Sequence, residues 1–292
     1  MMRRTMNKKK KLFICFSVFF ILAGIILLIY PFISERIFEH RADSIVAVNE
    51  AEADMKSSEE KEKILKESIA YNEALAEKMV VITDPFSGGF RDESSDYMEL
   101  LNMDGKGYMC AIEIPSIKVN LPVRHGTGRE TLENGIGHLE GSSLPVGGED
   151  THCVLSGHTG INHAKMFTDL SEMKKGDMFY LKVMGYTLAY KVCDINIVTP
   201  EDISLLTIRK GRDLCTLMTC TPYGVNSHRL LVTGERTEYL PDNGVQIEKE
   251  ESVPYHSAWL SEYKRALYAG MAAAVLLWAV LSLRYRDGRR SG

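Results

Sequence analysis

Two long stretches without a single charged residue bracket this chain, and they limit what it can fold into more than any other feature. Residues 12–34 read LFICFSVFFILAGIILLIYPFIS, and residues 266–283 read ALYAGMAAAVLLWAVLSL. About 20 consecutive apolar residues match the thickness of a bilayer's hydrocarbon core. Arg3, Arg4 and Lys8 to Lys11 precede the first run, and Arg284, Arg286, Arg289 and Arg290 follow the second. Basic flanks stay in the cytoplasm. The expected arrangement is a cell-membrane protein with two spans, both tails (1–11 and 284–292) cytoplasmic, and the intervening residues outside the cell. The competing readings are a cleaved signal peptide in front and a buried core helix behind. The first run exceeds the usual apolar length of a signal peptide.

The rest must then fold outside the cytoplasm. The whole chain has 292 residues and a formal net charge of −4, which suits one folded domain with accessory segments and argues against nucleic acid as a partner. Residues 43–82 read as a helical segment whose Leu65, Ile69, Asn72, Ala76 and Met79 share one face. Residues 83–107 are rich in Gly, Asp and Ser and read as a long loop. From 108 to 237, short apolar runs alternate with turn residues, the pattern of an all-β sheet or closed barrel with one or two short helices, one of them around INHAKMFTDLSEM. Met184-Gly185 reads as a tight hairpin. Residues 238–265 read as a polar linker.

Cysteines give the first chemical lead. Cys15 lies in the first apolar run, which leaves Cys110, Cys153, Cys193, Cys215 and Cys220 outside. Five is an odd number, and no spacing suits a zinc site. Cys153, Cys193 and Cys215 lie inside apolar runs and read as buried small hydrophobes. Cys220 instead ends its run, in TLMTCTPYGVNSHRL, and Arg229 opens the next one. Residues alternate across a strand, so Cys220 shares a face with Met218 while Cys215 points the other way. The turn residues between Cys220 and Arg229 would reverse the chain and bring the two strand ends together.

A thiol attacks as thiolate and needs a base or cation nearby. Among the histidines, His40, His125 and His256 have no strand-end setting, whereas His138, His163 and His228 remain candidates. His158 stands out because the run CVLS ends in Gly157-His158-Thr159-Gly160, where glycines let the backbone turn. Together these residues could act as nucleophile (Cys220), acid and base (His158) and oxyanion donor (Arg229). Each also has a plain structural reading, as a packed thiol, a turn histidine and a surface arginine.

LSGHTG around His158, TLMTC at Cys220 and HRL carrying Arg229 resemble the signature of sortases, membrane-anchored cysteine transpeptidases of Gram-positive surfaces. The C-terminal span, IAYNEAL in the helical segment and TDPF before the barrel are similar to class C, the pilus-assembling sortases. The resemblance implies a mainly β fold: a closed eight-stranded barrel over 108–237 with short helices, an N-terminal helical segment and two transmembrane helices. It implies that residues 83–107 form a lid, with Asp84 near Arg229 and Phe86 over Cys220. It further implies cleavage of an LPxTG-like sorting signal between Thr and Gly, and transfer to a lysine of a pilin subunit, with no metal or organic cofactor. The rival readings are a housekeeping sortase that anchors proteins to the wall, a Cys-His peptide hydrolase, and a doubly anchored scaffold without catalysis.

Overall fold

A computed structural model describes residues 8–77, 82–86, 94–160, 164–239, 261, 263–272 and 276. Both distal tails (1–7 and 284–292), most of the 238–265 linker, much of 273–283, residues 87–93, Met79, His163 and His256 lie outside the described residues.

The N-terminal helical segment is two helices. Helix α1 runs over Lys8–Met55 with Pro31 inside it, and α2 over Ser58–Ala76. Ser57 separates them as an N-cap: its hydroxyl accepts from the Glu60 amide while the Glu60 carboxylate accepts from the Ser57 amide. That reciprocal pair satisfies two amides a helix start leaves unbonded. The observed contact face keeps Leu65 and Asn72 of the expected one and is rotated elsewhere. Ile69 is exposed, and α2 packs through Ser68, Asn72 and Leu75, with Ile64, Leu65 and Tyr71 beside them. The reason is polar. Asn72 accepts from the Leu144 amide at 2.7 Å and donates to the Leu144 carbonyl at 3.2 Å, so a buried amide docks the helix.

The loop of residues 83–107 contains a short helix, α3 (Ser95–Glu99), which buries Tyr97; Leu101 just beyond it is buried too. Beyond it lie the eight strands: β1 (Tyr108–Ile114), β2 (Val119–His125), β3 (Ile136–His138), β4 (Thr151–Ser156), β5 (Met178–Val183), β6 (Tyr186–Val198), β7 (Asp213–Thr221) and β8 (His228–Thr237). They close in the order β1-β2-β3-β4-β7-β8-β6-β5. Closure leaves no open sheet edge. The β2/β3 and β4/β7 pairs are parallel and the remaining pairs antiparallel. Helix α4 (Arg129–Asn134) fills the β2–β3 connection. The helix expected around 161–173 is a single 3-10 turn over Thr168–Glu172. Met184 and Gly185, at φ 50° and 82°, form the two-residue turn between β5 and β6, the left-handed pair such hairpins require.

Two residues differ from the sequence reading. His125 does end a strand, and its ring meets the Gly107 and Leu100 carbonyls. Cys193 is half-buried, because β6 bulges between Val192 and Asp194 and turns its side chain out of the core.

Counting only residues whose side chains are described, no helix is long and apolar enough to cross a membrane. The side chains of residues 8–18, 20, 21 and 23 fall outside that description, as does much of 273–283. Residues 263–272 form a helix against α1, with Tyr263 donating to the Leu28 carbonyl and its ring 5.0 Å from Phe32.

Candidate active site

Strand β7 alternates as its sequence requires. Cys215 and Leu217 enter the barrel core, while Met218 packs with Val154 and Leu231 on the other side of the sheet. Cys220 shares the Met218 face and is 9% exposed. In the antiparallel β7/β8 ladder, Cys220 and Arg229 are direct register partners. The turn-rich loop between them therefore does what the sequence predicts.

His158 arrives by a different route. Strands β4 and β7 are parallel, with Ser156 opposite Met218. The Gly157 amide donates to the Met218 carbonyl at 3.0 Å, and the Thr219 hydroxyl donates to the Gly157 carbonyl at 2.7 Å. This carries the register one residue past the strand, so His158 and Cys220 follow the same rung. Gly157 is required here by close approach. A Cβ would lie 2.6 Å from Ile136 and 2.7 Å from Phe167.

Asp84 and Phe86 lie against Arg229 and His158. The Arg229 fork donates Nε to Asp84 Oδ1 at 2.7 Å and Nη2 to Oδ2 at 2.8 Å, a bidentate pair. Its Nη1 donates to the Asn226 and His228 carbonyls, both at 3.1 Å. The Phe86 ring stands 5.3 Å from the Arg229 guanidinium carbon and 5.6 Å from the His158 ring. Ile82 anchors the same segment in an apolar patch with Leu139, Leu206 and Met218. The five residues singled out from sequence thus meet in one place.

Electrostatics set the resting protonation. Burial pushes the Cys220 thiol up; Arg229 pulls it down, but Asp84 opposes that pull. Burial pushes the His158 imidazole down. Both shifts favour the neutral forms, a thiol at Cys220 and an imidazole at His158. Asp84 thus offsets part of the pull that Arg229 exerts on the thiol.

Sequence reasoning missed a buried polar cluster around α3. The buried Tyr97 hydroxyl meets His138 Nδ1 at 2.9 Å and accepts from the Gly126 amide at 3.0 Å, while His138 Nε2 meets the Ser143 carbonyl at 2.9 Å. Burial pushes His138 down to about 4, so it works here as a neutral structural group. The available signal was Ser94 as a helix cap three residues before a Tyr-Met pair. The other candidates do not join Cys220: His138 is committed to Tyr97, and His228 is paired with the Ser227 hydroxyl. Cys110, Cys153, Cys193, Cys215 and Cys220 are free thiols. Among the described residues, no group of three or more His, Cys, Asp or Glu is placed to hold a metal.

A sortase-domain family model matches residues 112–237. The crystal structure of sortase C-1 from Actinomyces oris is 50% identical with a TM-score of 0.57, covering 60% of this chain and 99% of that one. The chain belongs to the sortase family. Sortase C of Streptococcus pneumoniae is 39% identical with a TM-score of 0.61, over 68% of this sortase and 99% of that chain. Sortase D of Bacillus subtilis is 32% identical over 128 residues. That match takes in 43% of this sortase and 62% of the relative, so the sortase spans less than two thirds of that curated protein.

Proposed function

We propose that this sortase is a membrane-held class C transpeptidase that cleaves LPxTG-like sorting signals and joins pilin subunits through isopeptide bonds to lysine. The observation that carries the reading is the pairing of Cys220 with Arg229 across β7 and β8, with His158 just past the end of β4 and a segment that pairs Asp84 with the arginine. Likeness to sortase C structures supports the class, and the Streptococcus pneumoniae relative is described in terms of pilin substrate specificity. The two uncharged runs support membrane anchoring, with the barrel outside the cell.

In this reading the lid swings away first, releasing Arg229 from Asp84. The Cys220 proton passes to His158, and the thiolate attacks the threonine carbonyl. The oxyanion that forms is held by the Arg229 fork, whose fixed charge and planar donors suit it. His158 returns the proton to the leaving glycine amine as the C–N bond breaks, leaving a thioester on Cys220. A lysine amine then attacks that thioester, His158 accepts its proton, and the isopeptide bond forms with release of the thiol. The chemistry asks for no oxidant and no cofactor.

The experiment supplies purified enzyme with an LPxTG-like peptide and a lysine-bearing pilin fragment. Ligated product that disappears with Cys220→Ala supports the proposal. Free acid alone would favour a peptide hydrolase. Ligation to cell-wall peptide amines in preference to pilin lysine would favour the housekeeping role, and full pilus assembly by Cys220→Ala cells would favour a scaffold.

A further inference from the structure

We propose that the barrel stands with its catalytic mouth toward the bilayer, so that Cys220 works close to the lipid headgroups and the β5–β6 hairpin points away from them. This rests on the reading of residues 12–34 and 266–283 as membrane spans. The partner is the headgroup surface itself, and the substrate segment must be presented just above it.

The course of α1 fixes the direction. Glu35, the first charged residue after the uncharged run, accepts the Lys165 amide at 2.6 Å. Further along, Asp43 accepts from the Asn120 amide nitrogen at 2.9 Å. At the far end, Asp54 lies beside the hairpin, 3.2 Å from where a Cβ on Gly185 would sit. At 1.5 Å per residue, Glu35 and Asp54 are about 28 Å apart along the helix. The helix thus travels the length of the barrel, and its membrane exit is at the Lys165 end.

That end is the catalytic one. Two residues past Lys165, the Phe167 amide donates to the His158 carbonyl at 3.2 Å. The Lys165 ammonium pairs with the fully buried Asp169 at 3.0 Å and donates to the Ile117 carbonyl at 2.7 Å. Glu35, Lys165 and Asp169 therefore tie the exit point of α1 to the loop that leaves His158. The hairpin is the opposite end, because β6 starts there at Tyr186 and finishes at Val198, opposite Arg229.

The second uncharged run gives an independent check. Its helix begins beside the end of the first, through the Tyr263 contacts to Leu28 and Phe32. The described part of the second helix thus meets α1 at the level of Leu28 and Phe32. The rim on that side, in the loop after Cys220, carries Tyr223 at 41% and Val225 at 69% exposure. A tyrosine and an apolar tip suit the headgroup zone, where amphipathic rings accumulate.

The test reconstitutes the full chain in phosphatidylglycerol vesicles, with a fluorophore on an azide-bearing residue installed at Ser227 or at Tyr186, and lipids carrying a headgroup nitroxide. The expected result is several-fold stronger quenching at position 227 than at 186. Equal quenching, or stronger quenching at 186, in protein that floats with the vesicles overturns the orientation and leaves the anchors standing. Failure to float removes the membrane reading and this inference with it. Cleavage of a soluble sorting peptide by the same sample reports separately on the proposed activity.

Discussion

Replacing Asp84 and Phe86 together by alanine should open the site, and the size of the effect can be worked from its contacts. The Asp84 and Arg229 side chains are 5% and 7% exposed, so solvent screens their attraction weakly. Hydrogen bonds between charged groups contribute about 1.5–3 kcal/mol each, and part of that offsets the cost of drying both charges. The stacked guanidinium and Phe86 ring add about 0.5–2 kcal/mol. A net preference of about 2–4 kcal/mol for the closed lid follows, or about 30-fold to several hundred-fold in open population. Alkylation of Cys220 tracks that population when the lid moves faster than the reagent reacts. Labelling followed by peptide mass should therefore accelerate at least about 30-fold in the double variant. Cys110, Cys153 and Cys215, buried in the core, should stay unlabelled, and half-buried Cys193 should react at the same rate in both proteins. A Cys220 rate changed by less than about twofold refutes the lid and its energetics together.

Other outcomes follow from single residues. Arg229→Lys keeps the charge but loses the planar fork, and should lower kcat by about 100-fold or more with the fold intact by circular dichroism. Gly157→Ala forces a methyl group against Ile136 and Phe167 and should cost about 1–3 kcal/mol in urea unfolding. Cys215→Ala, on the opposite face from Cys220, should leave peptide cleavage intact. Stability should also depend on acid. His138 and His152 are buried as neutral rings, each with its pKa pushed down to about 4. The unfolded chain therefore binds more protons than the folded one between about pH 6.5 and 4. Their contribution is full above that window and lost as pH falls through it. The urea midpoint should drop across the window, and a flat profile would contradict the assignment.

The site was legible where the chain reverses locally. Cys220 and Arg229 sit on consecutive strands joined by a short turn-rich loop, so alternation and turn chemistry suffice to predict their register. His158 was readable only as a candidate, from its glycine neighbours. Its meeting with Cys220 depends on parallel pairing of β4 with β7, strands separated by β5 and β6 in sequence, and no local pattern encodes that. The contact face of α2 was read in part: Leu65 and Asn72 face the barrel as expected, whereas Ile69 and Ala76 are exposed, and the Asn72–Leu144 pairing that sets the rotation spans 72 residues. Helix α3 hid in a Ser- and Asp-rich stretch that reads as loop, although Tyr97 at its centre is fully buried. Cys193 looked like a core residue until the bulge in β6 turned it outward.

The central claim is that Cys220 carries the acyl group, and mass spectrometry of the intact enzyme tests it most directly. Incubated with an LPxTG-like peptide and no amine acceptor, the protein should gain the mass of the peptide truncated after threonine, mapped to Cys220 and absent from Cys220→Ala. An adduct on another residue, or cleavage that proceeds undiminished in Cys220→Ala, would contradict the account.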